Sequence, residues 1–206
     1  MAKKQVPLGV GGIRVPIGTH IAAFYRDDEE RRSLVVPFIK TGLEQGARCI
    51  SIVHGETRDA LLGALQAVDV QTAVASGKLR IFTAAETYLS EGYFSPQKMV
   101  SLLETLMREA VEEGIEQIRL TGDTTWALDG TPGTERLMEY EARADKILVG
   151  YPHITLCLYD ITKCRGDMVV DALRTHLYCV LGGVLIRNHF YMGPDRFLKE
   201  FAERAK

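Results

Sequence analysis

The first strand-to-helix turn of this chain lacks the glycines that a phosphate-binding α/β protein needs there. It reads His20-Ile-Ala-Ala-Phe-Tyr25-Arg-Asp-Asp-Glu-Glu30, with no Lys-Ser/Thr pair either. A phosphate loop uses glycines so that backbone N–H groups can wrap the phosphates, then a lysine and a hydroxyl for phosphate and metal. Four consecutive acids, Asp27 to Glu30, stand in its place and repel a polyphosphate. A nucleotidase-like layout without its chemistry makes sensing the expectation rather than turnover.

Other absences narrow the field. The 25 basic residues against 27 acidic ones leave a net charge of −2, so the chain has no field for nucleic acid or an anionic membrane. No apolar run approaches the ~20 residues that span a bilayer. Met1-Ala-Lys-Lys-Gln is followed by no apolar stretch, so no secretory signal is read. Cys49, Cys157, Cys164 and Cys179 form no C-x-x-C pair, and a chain of 206 residues needs no disulfides to fold. A cytoplasmic protein with reduced thiols is expected. The five histidines show no H-x-x-x-H or H-E-x-x-H spacing, and no serine sits in a G-x-S-x-G turn. Cys157 with His20 or His176 is a metal set only if the fold brings them together. A buried structural cysteine and a hydrogen-bonded histidine is the plainer reading.

What is present is an alternation of apolar strands and amphipathic helices. Residues 1–19, rich in Gly and Pro, read as an irregular arm, and 20–206 as one domain. Strands are expected at 20–24, 49–53, 78–83, 115–121 and 153–159. Helices are expected at 29–45, 57–68, 69–76, 95–113, 133–149, 167–174 and 197–205. Their apolar residues recur at helical spacing, as in Met99, Leu103, Leu106, Met107 and Ala110. Ser95-Pro96 is a favoured helix start, and Gly182-Gly183 marks a hairpin within 178–191. This order predicts an α/β fold in three layers, a mainly parallel sheet with helices on both faces and a C-terminal antiparallel hairpin.

In such sheets ligands bind beyond the carboxyl ends of the strands. The segments there are Tyr25 to Asp28, His54-Gly-Glu56, Thr83 to Glu86 with Tyr88, Thr121 to Trp126, and Tyr159-Asp160. The fourth is the densest: Gly122 for a close turn, Asp123, two threonine hydroxyls and the single tryptophan, Trp126. An aromatic plane beside small polar groups suits a modest organic ligand, while the bland reading packs Trp126 under the next helix. Asp123 reads as a hydrogen-bond acceptor rather than a metal holder. Glu139 and Arg143, at i,i+4, fit an ordinary surface pair.

Several segments, in order, resemble one family. They are His20-Ile-Ala-Ala-Phe-Tyr25, Pro37 to Gly46, Ala85-Glu-Thr-Tyr88 with Gly92-Tyr-Phe94, and Arg119-Leu-Thr-Gly-Asp-Thr-Thr-Trp126. Leu137-Met-Glu-Tyr-Glu-Ala-Arg143, Cys157-Leu-Tyr-Asp160 and Asp171-Ala-Leu-Arg-Thr-His176 complete the set. The chain is similar to the MEDS family, the methanogen/methylotroph sensory domain, from about His20 to about Tyr191. The resemblance implies a RecA/KaiC-like core without the phosphate loop, sensing small molecules proposed to be hydrocarbon derivatives. It implies His20, Tyr25, Glu86, Tyr88, Trp126, Glu139, Tyr159 and His176 as pocket residues, to which Asp123 is added on position. Many relatives join this domain to a DNA-binding or kinase module. This sequence shows none, so output through a separate transcription regulator or kinase, or through self-association, is expected. The sequence requires no cofactor and does not decide whether a metal, haem or corrinoid is bound. Two other readings stand beside the sensor: a ligand-free assembly module, and a divergent nucleotidase or metal-assisted hydrolase using Asp123, Asp160 and His20 or His176.

Overall fold

The computed structural model describes residues 4–55, 58–65 and 69–204, so Glu56, Thr57 and the end of the helix expected over 57–68 lie outside the described residues. The strands are β1 (Gln5–Pro7), β2 (Arg14–Pro16), β3 (Thr19–Tyr25), β4 (Arg48–Val53), β5 (Leu79–Thr83), β6 (Ile118–Asp123), β7 (His153–Asp160), β8 (Tyr178–Leu181) and β9 (Val184–Arg187). The helices are α1 (Asp28–Glu44), α2 (Arg58–Ala64), α3 (Val70–Ala75), α4 (Pro96–Glu112), α5 (Leu137–Leu148), α6 (Gly166–Thr175) and α7 (Pro194–Arg204). Seven strands form one sheet in the order β5-β4-β6-β7-β3-β8-β9, parallel except for β9, which returns antiparallel on β8 through Gly182-Gly183.

Side chains alternate between the two sheet faces, and two cores result. Ala22, Phe24, Ile50, Ile52, Leu120, Cys157 and Tyr159 face α4, α5, α6 and α7. Ile21, Ala23, Tyr25, Cys49, Leu156 and Leu158 face α1, α2 and α3. The stripe Met99, Leu103, Leu106, Met107 and Ala110 is buried as its spacing predicts. Each large side chain so buried stabilises by about 1.5–3 kcal/mol. Ser95 accepts from the N–H of Lys98 and caps α4, with Pro96 in the first turn.

The N-terminal segment departs from the expected irregular arm. Gln5–Pro7 and Arg14–Pro16 pair antiparallel, and Leu8 and Val15 are fully buried against α1 and the sheet. Gly9, at φ +97°, lets the ribbon touch α1, since a Cβ there would lie 2.3 Å from the carbonyl oxygen of Pro37. Arg119, on β6, locks the contact. Its guanidinium donates to the carbonyls of Leu8 (2.9 Å), Phe38 (2.8 Å) and Pro7 (2.5 Å) and lies 4.9 Å from the centre of the Phe38 ring. Burial lowers its pKa to about 10.

The acidic first turn has a structural use. Asp27 accepts from the N–H of Glu30 (2.8 Å), and Glu30 accepts from the N–H of Arg26 (2.9 Å). The N-terminus of α1, where an anion would otherwise be held, is thus occupied by the protein's own carboxylates.

Candidate functional site

A single row of small residues crosses the α4–α7 face of the sheet: Gly122 on β6, Cys157 on β7, Ala22 on β3 and Cys179 on β8 are register partners. The space above the row is filled from the loops and helices. The Tyr88 hydroxyl sits over Gly122, 2.8 Å from where a Cβ would be. Tyr88 stacks on Trp126 at 4.5 Å, Phe94 leans on Trp126 at 4.7 Å, and Tyr140 meets Tyr88 and Phe94 edge-on at 5.9 Å. Trp126 is fully buried, in a turn of 3-10 helix directly after β6. Its ring packs within the core on this face of the sheet.

Beside this aromatic wall lies a buried polar cluster of His20, Glu141, Cys157 and His176. The His20 and His176 rings are 4.1 Å apart, and Tyr159 stands edge-on to His176 at 5.9 Å. His20 Nε2 is 3.2 Å from Cys157 Sγ and 3.4 Å from Glu141 Oε2. Burial works to lower the pKa of His20, but Cys157, Asp145 and Glu141 outweigh it and hold it well above its usual value. Burial also disfavours charge on Glu141, and the two histidines overcome this to depress its pKa. His176 is lowered to about 4 by burial and by the charge of His20, while burial and Glu141 push the Cys157 thiol up to about 12. Among the described residues this is the one grouping whose side chains are placed to hold a metal.

The nine expected ligand residues do not form one site. His20, Tyr88, Trp126, Tyr159 and His176 share the α4–α7 face. Tyr25 and Asp123 point to the opposite core or its rim. There Asp123 accepts from the backbone and hydroxyl of Thr125 (2.9 and 2.5 Å), a role of acceptor as expected. Asp160 repeats the pattern with Thr162 (3.0 and 2.6 Å). The sheet therefore separates Asp123 and Asp160 from His20 and His176, and the hydrolase constellation is not assembled. Glu86 is exposed, paired with Arg58 and bonded to the N–H of Thr83. Glu139 is bracketed by Arg136 and Arg143 on the outside of α5. The acid that turns inward is Glu141.

An open cleft of about 630 Å³ abuts the cluster at the carboxyl ends of β3 and β8. Phe24, Ile161, Cys164, Val169, Leu173, Cys179, Leu181, Ile186 and Phe190 make its lining overwhelmingly apolar. Phe24 packs on Tyr159 at 5.6 Å, and Asn188, also in the lining, donates to the backbone carbonyl of His176 (2.8 Å). Phe24, Phe190 and residues of β8 and β9 line this cleft, and none of them is singled out as a site residue by the sequence. The signal was the hairpin itself, which places apolar side chains where a parallel sheet would end.

Residues 19–177 match the family model described as the methanogen/methylotroph, DcmR sensory domain. The chain belongs to the MEDS family. The transcriptional repressor DcmR of Methylorubrum extorquens is 31% identical over 177 residues, a match covering 84% of this chain and 64% of the repressor, less than two thirds of its length. Two solved structures share the fold of this MEDS chain. The KaiC-like protein PH0186 of Pyrococcus horikoshii aligns with a TM-score of 0.61 at 14% identity, covering 86% of this chain and 79% of its own. The flagellar accessory protein FlaH of Methanocaldococcus jannaschii aligns at 0.59 and 11%, covering 86% and 78%. The RecA/KaiC-like architecture expected of this chain is thereby established. No helix among the described residues is long and apolar enough to cross a membrane.

Proposed function

We propose that this MEDS chain is a non-catalytic sensor that binds a small, largely apolar organic molecule and passes the signal to a separate regulatory protein. One observation carries the reading: the apolar cleft at the carboxyl edge of β3 and β8, with its floor, Phe24, packed on Tyr159. Its size and lining suit a ligand held mainly by burial and oriented by few polar groups. Its outer wall is the β8–β9 hairpin and the exposed Phe190. A ligand bridging Phe24 and Phe190 favours one placement of that wall over others, which is how occupancy becomes a change of surface. The similarity to a transcriptional repressor supports a regulator of transcription as the recipient.

The test is a thermal-shift and ligand-observed NMR series with short-chain alcohols, ketones and halocarbons. At least one class is expected to bind saturably. Val169→Trp, which fills the cleft from half-buried α6, is expected to abolish that binding while keeping the circular dichroism of the parent. Saturable binding that survives in folded Val169→Trp would remove the cleft from consideration.

A further inference from the structure

Four elements each bring one donor side chain to a single buried point: His20 from β3, Cys157 from β7, Glu141 from α5 and His176 from the residue that closes α6. Their donor atoms all lie within 4.8 Å of one another. The separations are 3.2 Å from His20 Nε2 to Cys157 Sγ and 3.4 Å to Glu141 Oε2. Cys157 Sγ and Glu141 Oε2 are 3.4 Å apart, and His176 Nε2 lies 3.6 Å from Glu141 Oε2. A tetrahedral cation with nitrogen and oxygen ligands at about 2.0–2.1 Å and sulfur at about 2.3 Å spaces its ligands roughly 3.3–3.6 Å apart along the edges. Four of the six edges of the cluster, at 3.2–3.6 Å, are close to that spacing, and the other two are no longer than 4.8 Å.

The far nitrogens of the two rings give a second, independent observation. His20 Nδ1 faces Asp145 Oδ1 at 3.3 Å, and Asp145 is itself held by the Tyr191 hydroxyl at 2.7 Å. His176 Nδ1 faces the carbonyl of Ala172 at 2.9 Å. A carbonyl or carboxylate there takes a proton from Nδ1 as its hydrogen-bond partner and turns the Nε2 lone pair inward, the outer arrangement that metal-bound histidines use. His176 Nε2 is buried and makes no hydrogen bond. It lies 3.6 Å from Glu141 Oε2, while Nδ1 is also 3.0 Å from the Thr175 hydroxyl. With the protons of His20 Nε2 and the Cys157 thiol displaced, two imidazole nitrogens, a carboxylate and a sulfur converge on one point, a donor set that a positive ion completes.

We propose that His20, Glu141, Cys157 and His176 form a mononuclear tetrahedral site for a divalent cation of the zinc class. Two nitrogens and a thiolate select such an ion over magnesium or calcium, which take oxygen ligands. With four protein ligands the site is closed, so it pins α5 and α6 to β3 and β7 rather than activating water. Binding releases the Cys157 thiol proton to solvent, together with any proton on His20 Nε2. The site stands on different side chains from the apolar cleft, and the cleft reading survives its failure.

The full chain, purified untagged under reducing conditions and stripped with chelator, is dialysed against zinc alone or cobalt(II) alone. Elemental analysis is expected to give about one ion per chain. The cobalt form is expected to show the intense visible bands of tetrahedral coordination and a thiolate-to-cobalt charge-transfer band. Cys157→Ser removes that band, and His176→Gln weakens zinc binding by at least about tenfold in competition with a chromophoric chelator. The variant Cys49→Ala/Cys164→Ala/Cys179→Ala keeps only Cys157 and retains the band. A folded parent chain holding well under one ion, or a charge-transfer band lost in the folded triple variant, overturns the site. Should Cys157→Ser fail to fold, the triple variant still decides.

Discussion

Gly122 shows how much a single missing methyl group organises. The Tyr88 hydroxyl occupies the volume a Cβ would need, and through Tyr88 the aromatic stack of Trp126, Phe94 and Tyr140 settles on the sheet. Gly122→Ala is expected to destabilise by about 1–3 kcal/mol through overpacking, and Tyr88→Phe should relieve much of that in the double variant. Urea unfolding of the four members of the cycle measures it; additive losses would mean the hydroxyl is not what the methyl meets. Glu141 makes the complementary point about legibility. Glu139 and Glu141 look alike in sequence, and i,i+4 spacing correctly pairs Glu139 with Arg143. The burial of Glu141 depends on His20 and His176, residues 121 positions before it and 35 after it in the sequence, and local spacing holds no trace of that. Strand parity, by contrast, was available. His20 and Tyr25 lie an odd number of positions apart on β3, as do Cys157 and Asp160 on β7, so alternation alone assigns them to opposite faces.

Among the elements, α1 is where the loss of a phosphate loop becomes tangible. Its first turn carries the cap Asp27 and the acids Asp28, Glu29 and Glu30, so the positive end of the helix is already answered. Asp27→Ala is expected to cost about 1 kcal/mol, read as a lower urea midpoint at unchanged slope. The helices and parallel strands were readable because each carries a stripe or apolar run of the right period; α4, with its Ser95 cap and Pro96, is the clearest case. β1 and β2 were not, because three-residue strands offer no period and the glycines between them, Gly9, Gly11 and Gly12, read as loop. The helix expected from Gly133 starts instead with 3-10 geometry over Thr134–Arg136, since Gly133 itself sits at φ +90° against the Phe94 carbonyl.

At the scale of the whole molecule, the apolar cleft lies between two unlike parts. One is the parallel sheet with its helices, and the other is the antiparallel hairpin β8–β9 at the open edge. Val184 and Ile186 remain exposed there. Helix α7 closes the same side: Phe197 is fully buried, with Arg174 and Arg204 at 5.5 and 5.8 Å from its ring. The family model's match ends at Leu177, yet the sheet has two more strands to add and this helix to dock.

Arg119 gives that mismatch a practical edge. A gene fragment trimmed to the family boundaries, residues 19–177, would discard the carbonyls of Pro7 and Leu8 and leave the buried Arg119 guanidinium with only Phe38 and Gln45 to accept from it. Such a fragment is expected to express as aggregate or to melt well below the parent chain, while a fragment of residues 4–204 melts with it; differential scanning fluorimetry separates the two. The span a family model matches and the span that carries the packing are different here, so a graft onto a reporter is best joined outside residues 4–204.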